Sequence, residues 1–256
     1  MMNAPYIPSS GLLAGLNRRW ARFAARQPLN LPSDRAIVSI TFDDFPKSAA
    51  GIGAEILEQH GWRGTYYASA GFAGGVTHHG PMFDCGDLQR LTAAGHEIAC
   101  HTYSHFDARQ VRTADFLADI ERNERALRAM GLETALDSFA FPYGEATPAS
   151  KRALSERFST LRGVHADINR GGADRNLLKS VPIDGGEAGI ERAIEAAASL
   201  SRHTGWLTFY AHDVQENPTQ WGCTPDQLER VCQAIADSGA EVLTMRDAVH
   251  QMETGT

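Results

Sequence analysis

The chain has 256 residues, enough for one large domain with a sizeable core. With 43% hydrophobic and 21% charged residues it excludes a disordered chain, and a formal net charge of −7 argues against a nucleic-acid-binding surface. Four scattered cysteines without a C-x-x-C pair read as reduced thiols, Cys100 among them as a small buried side chain.

Residues 1–34 stand apart as an N-terminal arm. Leu12, Leu16, Trp20 and Phe23 recur at helical spacing among Arg18, Arg19, Arg22 and Arg26, which predicts a short amphipathic helix. Such a helix packs on the domain or on a second copy, which makes a homo-oligomer through the arm an expectation. Pro28, Pro32 and Ser33 predict a loop after it. The apolar stretch Gly11–Leu16 is too short for the core of a secretory signal, and arginines follow it directly, so the expected location is the cytoplasm. No apolar run approaches the ~20 residues a membrane span requires.

From residue 35 to 256 the pattern alternates as one domain. Strands are predicted at 36–42, 64–69, 96–100, 138–141, 160–164, 178–183, 206–211 and 241–244. Helices are predicted at 48–60, 86–94, 113–130, 148–158, 190–202, 225–237 and 245–252. Gly61, Gly95 and Gly131 stop helices, and Thr224 with Gln227 forms a capping box ahead of Pro225. This alternation predicts an α/β fold of mostly parallel strands, a distorted or incomplete (β/α)7 barrel behind the helical arm. Neither G-x-G-x-x-G nor a phosphate-binding G-x-x-x-x-G-K-[ST] follows any strand, against dinucleotide or nucleotide chemistry.

In a parallel barrel the reactive groups gather at the C-terminal strand ends. Four predicted ends carry polar groups: Asp43 and Asp44, then His101 to His105, then Pro142-Tyr143-Gly144, then His212 and Asp213. His101 and His105 are spaced to aim two imidazoles at one ion, and a carboxylate from another strand completes a three-ligand site with room for water. That donor set suits Zn²⁺, with other first-row divalent ions as alternatives. If one of the paired aspartates binds metal, the other is free to take a proton from water. His212 has the ordinary pKa range of a general acid. The backbone N–H of Tyr143 can stabilise an oxyanion.

The chain resembles the polysaccharide deacetylases (NodB-homology, carbohydrate esterase family 4) from about Ala36 to about Val249. Thr41-Phe42-Asp43-Asp44 is similar to the family's first motif, His101-Thr102-Tyr103-Ser104-His105 to its H-[ST]-x-x-H, Phe141-Pro142-Tyr143-Gly144 to part of the third, and Tyr210-Ala211-His212-Asp213 to the last. The resemblance implies Asp43 as catalytic base, Asp44, His101 and His105 as metal ligands, and His212 as catalytic acid. It implies hydrolysis of acetyl groups, N-acetyl above all, from a sugar or glycan by water activated on the ion. Two positions depart from the pattern. Phe45 stands where a glycine is usual, and Ala140 stands where an arginine usually orients the base. The family's Asp-x-x-Asp-Trp motif has no counterpart, which leaves Asp167, Asp174 and Asp184 as candidates to tune the acid. Two alternatives share these motifs: a cyclic imide or ureide hydrolase, and a non-catalytic metal-binding homologue that binds glycans. His78 and His79 fall in a loop and either line the groove or face solvent; His60, His96, His165, His203 and His250 read as structural or surface groups.

Overall fold

The computed structural model describes residues 8, 11–31 and 34–254, and of Leu13 the backbone alone; the predicted loop residues Pro32 and Ser33 lie outside the described residues. Eight strands form one parallel sheet: β1 (Ala36–Phe42), β2 (Thr65–Ala68), β3 (Glu97–Cys100), β4 (Ser138–Ala140), β5 (Thr160–Arg162), β6 (Val181–Pro182), β7 (Gly205–Ala211) and β8 (Glu241–Val242). The order runs β6-β7-β1-β2-β3-β4-β5, and β8 pairs with the N-terminal half of β1 below β2. The two outer edges meet at a single parallel bridge between Arg162 and Leu178, so the sheet curls into the expected (β/α)7 form with a weak seam. The expected strand 178–183 is shared across that seam. Leu178 pairs with β5, and Val181 and Pro182 pair with β7.

The central strand β1 is buried on both faces, which is why it reads as a β-branched run without alternation. Its two hydroxyls are satisfied internally. Ser39 Oγ accepts from Trp206 Nε1 at 3.0 Å, and Thr41 Oγ1 donates to the Phe209 carbonyl at 2.7 Å. Among the described residues, seven α-helices surround the sheet: α2 (Ala54–Gln59), α3 (Cys85–Ala93), α4 (Thr113–Ala129), α5 (Pro148–Leu154), α6 (Gly186–Ala198), α7 (Pro225–Ser238) and α8 (Met245–Thr254). The Thr224–Gln227 capping box is present at α7, and α3 has a further one built from Asp84 and Asp87. Residues 49–53, expected as regular helix, form a π-helical turn, in which the Ala54 N–H reaches the Ala49 carbonyl five residues back.

The arm carries the predicted helix, α1 (Leu12–Phe23). Ala14 and Ala21 face the domain, whereas Leu12, Leu16, Trp20 and Phe23 point outward as an exposed stripe. Buried Lys151 of α5 caps its C-terminus, donating to the Ala21 and Ala24 carbonyls at 2.9 and 2.8 Å and to Asp174 Oδ2 at 2.7 Å. Pro28 and Leu29 then pair antiparallel with Asp174 and Ala173, a strand pairing absent from the sequence reading. No helix among the described residues is long and apolar enough to cross a membrane.

Candidate active site

The four predicted strand ends converge on one cavity of about 430 Å³, lined by Asp43, Asp44, His101, His105, Tyr143 and His212. The Asp43 N–H donates to the Ala211 carbonyl at 2.9 Å, continuing the β1–β7 ladder and setting the aspartates beside His212. The chain then leaves the strand through two left-handed residues, Asp44 (φ 60°) and Phe45 (φ 67°). Each such residue costs about 1–2 kcal/mol for an L side chain, which is why glycine is usual there. Phe45 offsets that cost by burial, stacked on Phe83 at 4.3 Å and against Tyr66 at 5.1 Å. Among the described residues, five of six non-glycine residues with positive φ lie at this site: Asp44, Phe45, Thr102, His105 and Tyr143. Backbone strain of this kind concentrates where side chains must be aimed.

His101 and His105 sit on the loop after β3. Asp119 of α4 holds that loop by accepting from the Tyr103 N–H, the Ser104 N–H and Ser104 Oγ at 2.8–2.9 Å. His101 Nδ1 donates to the Ala140 carbonyl at 2.8 Å, which turns Nε2 inward. Asp44 Oδ1 lies 3.1 Å from His105 Nε2 and 3.6 Å from His101 Nε2, and the three donor atoms fall within 4.8 Å of one another. Asp44 Oδ1 is buried without a hydrogen-bond partner. An orphaned carboxylate oxygen facing two imidazoles fits a divalent cation, and the donor set fits Zn²⁺. Burial lowers the His101 imidazole to about 4 and pushes His105 down as well, so both are neutral and able to ligate.

Asp43 is held by a residue that sequence reasoning missed. Arg162, wholly buried at the end of β5, donates through Nη2 to Asp43 Oδ1. Arg162 and Ala140 are register partners across β4 and β5, so this guanidinium arrives from one strand beyond the position where the family's arginine would stand. Its Nη1 donates to the Gly163 carbonyl at 3.0 Å and to Ser180 Oγ at 3.3 Å, and Tyr67 and Tyr210 flank it at 4.9 and 5.3 Å. Burial pushes the Asp43 carboxyl up, but Arg162, His101 and His212 outweigh it and hold it below the usual carboxylate range. The available signal was a lone arginine closing a buried strand.

His212 Nδ1 donates to the Trp221 carbonyl at 3.1 Å, and burial with His79 beside it lowers its pKa. Asp167 is paired with Lys179 near the surface and Asp174 with Lys151. Asp184, raised to about 6 by burial, lies beside Tyr210. Tyr143 occupies a tight turn (φ 58°, ψ 8°) with its ring edge-on to His105 at 4.5 Å. The next residue, Gly144, has no room for a side chain, since a Cβ there would meet Val164 at 2.2 Å.

The loop histidines divide. His78 is exposed at the rim, while His79 is buried, with Nδ1 2.9 Å from Asp213 Oδ1 and Nε2 3.6 Å from Asp44 Oδ2. Asp213 also accepts from the Thr219 N–H, Thr219 Oγ1 and Gln215 Nε2. His60 and His96 are tied to Glu229 and Glu58 away from the cavity.

A sequence model of the polysaccharide deacetylase family matches residues 30–157. A relative from Arthroderma benhamiae, named "Probable peptidoglycan-N-acetylglucosamine deacetylase", is 27% identical over 182 residues, 71% of this chain and 38% of that protein. The chain spans less than two fifths of the length of the curated relatives it matches. Among solved structures, the carbohydrate esterase family 4 domain of a multidomain xylanase from the hindgut metagenome of Trinervitermes trinervoides superposes with a TM-score of 0.63 at 16% identity. That alignment covers 87% of this chain and 93% of the domain. A family 4 pseudoenzyme from Bacillus anthracis gives 0.61 at 15% identity, over 85% and 66% of the two chains.

Proposed function

Because the chain belongs to the polysaccharide deacetylase family, we propose that it is a metal-dependent hydrolase that removes acetyl groups, N-acetyl first, from a sugar or glycan. The observation that carries this reading is the buried Asp43–Arg162 pair beside the Asp44–His101–His105 cluster, a base and a three-donor metal site on one cavity. Asp44, His101 and His105 would hold the ion, Zn²⁺ by donor type. When bound, a divalent ion there supplies Lewis acidity to the acetyl carbonyl and to the attacking water. Asp43, kept ionised by Arg162, takes the proton from that water. The Tyr143 N–H donates to the carbonyl oxygen as it gains charge. His212 gives a proton to the departing amine nitrogen, its ring fixed by the Trp221 carbonyl. Trp221, Tyr210 and Phe72 line the same cavity and offer flat apolar faces to the C–H face of a sugar ring.

The name of the Arthroderma benhamiae relative supports an N-acetylated glycan as substrate class. A non-catalytic, glycan-binding reading has one support, the structural likeness to a pseudoenzyme. The Arg162 replacement counts against it, since a buried ion pair on an idle base would be costly to keep. The test is acetate release from defined N-acetyl and O-acetyl sugars, run beside ring opening of cyclic imides and ureides, after chelation and again after adding Zn²⁺. Metal-dependent acetate release supports the proposal. Ring opening without acetate release refutes it.

A further inference from the structure

The Asp44 carboxylate has two faces, and both are furnished alike. Oδ1 meets His101 and His105, while Oδ2 meets His79 Nε2 at 3.6 Å, with the His212 donor atom completing a second trio within 4.8 Å. The proton positions on this second face follow from its hydrogen bonds. His79 Nδ1 abuts Asp213, whose carboxylate already accepts from Thr219 and Gln215, so the proton between them sits on Nδ1. His212 Nδ1 faces the Trp221 carbonyl, which can only accept. Nε2 is therefore the nitrogen that each ring has left to turn toward the cavity, and on His79 it faces Asp44 Oδ2. The two rings and the Asp44 carboxylate thus offer three donor atoms within 4.8 Å of one another, a set that fits a divalent cation. Metal-bound histidines commonly donate their other N–H to a carboxylate or a carbonyl, which is how His79, His212 and His101 are all held. Two donors on one tetrahedral zinc lie roughly 3.3 Å apart. The 3.6 Å from His79 to Asp44 Oδ2 is close to that and equals the His101 to Asp44 Oδ1 distance on the first face.

We propose that Asp44 Oδ2, His79 and His212 form a second divalent-cation site, bridged to the first through the Asp44 carboxylate. A cation there occupies His212 Nε2 in place of the proton that this nitrogen must carry to protonate the leaving amine, so the second ion is inhibitory. The inhibitory role rests on the deacetylase reading above; the site itself does not. Asp213 acts as a positioning residue for His79. Gly222 lets the surrounding loop close on it, since a Cβ there would come within 2.3 Å of the Asp213 carbonyl oxygen.

Equilibrium dialysis of the metal-free full chain against Zn²⁺, with metal counted per chain, tests the site without any substrate. The wild type binds two ions in two steps. His79→Ala binds one, and Asp213→Asn keeps the first step and weakens the second by about 10–100-fold. Mn²⁺ loaded to two equivalents gives the electron paramagnetic resonance signal of a coupled pair. A saturating stoichiometry of one in the wild type, or of two in His79→Ala, overturns the site. Activity followed through the same titration rises to the first equivalent and falls through the second. Activity that keeps rising through the second equivalent overturns the inhibitory role while leaving the deacetylase reading intact.

Discussion

Arg162 Nη2 donates to Asp43 Oδ1 across the mouth of the sheet, with both side chains shut off from solvent and 119 residues apart in the chain. Arg162 brings a permanent positive charge onto that buried carboxylate, and His101 and His212 add to its effect. Removing the arginine as Arg162→Ala leaves Asp43 a buried, uncompensated charge, a loss of about 3–5 kcal/mol in stability. Burial then raises the Asp43 carboxyl against His101 and His212 only. A base must be ionised, so the acidic limb of the pH–rate profile moves to higher pH, and turnover at neutral pH falls by about 100-fold or more. Because Ala140 lies directly opposite Arg162, the double variant Ala140→Arg/Arg162→Ala recovers part of that loss. Denaturant melts and a pH–rate profile of acetate release check both statements.

The parallel barrel, most of its helices and the four strand ends were legible because each rests on local pattern: period, glycine stops, capping residues. Asp43, Asp44, His101, His105, Tyr143 and His212 were found the same way, as polar groups where a buried strand stops. Arg162 was not, because its meeting with Asp43 depends on the β4–β5 register, and register is set by the packed sheet. His79 was left open between groove and solvent for a similar reason. Its burial depends on the loop around Asp213 and Gly222 closing over it from the far end of the chain.

Phe45 shows two opposing costs at one residue. Phe45→Gly relieves about 1–2 kcal/mol of left-handed strain but empties the space between Phe83 and Tyr66, where losing a buried phenyl costs about 3–5 kcal/mol. The variant is therefore less stable by about 1–4 kcal/mol, despite matching the residue usual in the family. Urea denaturation read by fluorescence measures this directly.

Lys151 joins the arm to the barrel. Lys151→Met strips the ammonium from two carbonyls at the end of α1 and from Asp174. The expected cost is about 3 kcal/mol. Limited trypsin digestion then cuts first among Arg18, Arg19, Arg22 and Arg26. Unchanged resistance at these arginines would contradict the capping role.

Asp184 gives a pH signature away from the metal ligands. Burial raises its carboxyl from the ordinary 3.8 to about 6, with Arg192 pulling the other way. Between those values the folded chain binds more protons at this group than the unfolded chain does, so its contribution to stability falls as pH rises from about 4 to 6. Asp184→Asn removes that dependence. The variant gains on the wild type between pH 4 and pH 7, as read from paired urea melts, and a gap that narrows over this range would contradict the assignment.

In the proposed mechanism Asp43 is the base and Asp44, His101 and His105 are the ligands. Metal content and acetate release of Asp43→Asn, measured on one sample beside His101→Ala, test it most directly. Asp43→Asn is expected to keep its metal and lose acetate release, and His101→Ala to lose both. Acetate release by Asp43→Asn at the wild-type rate would contradict it.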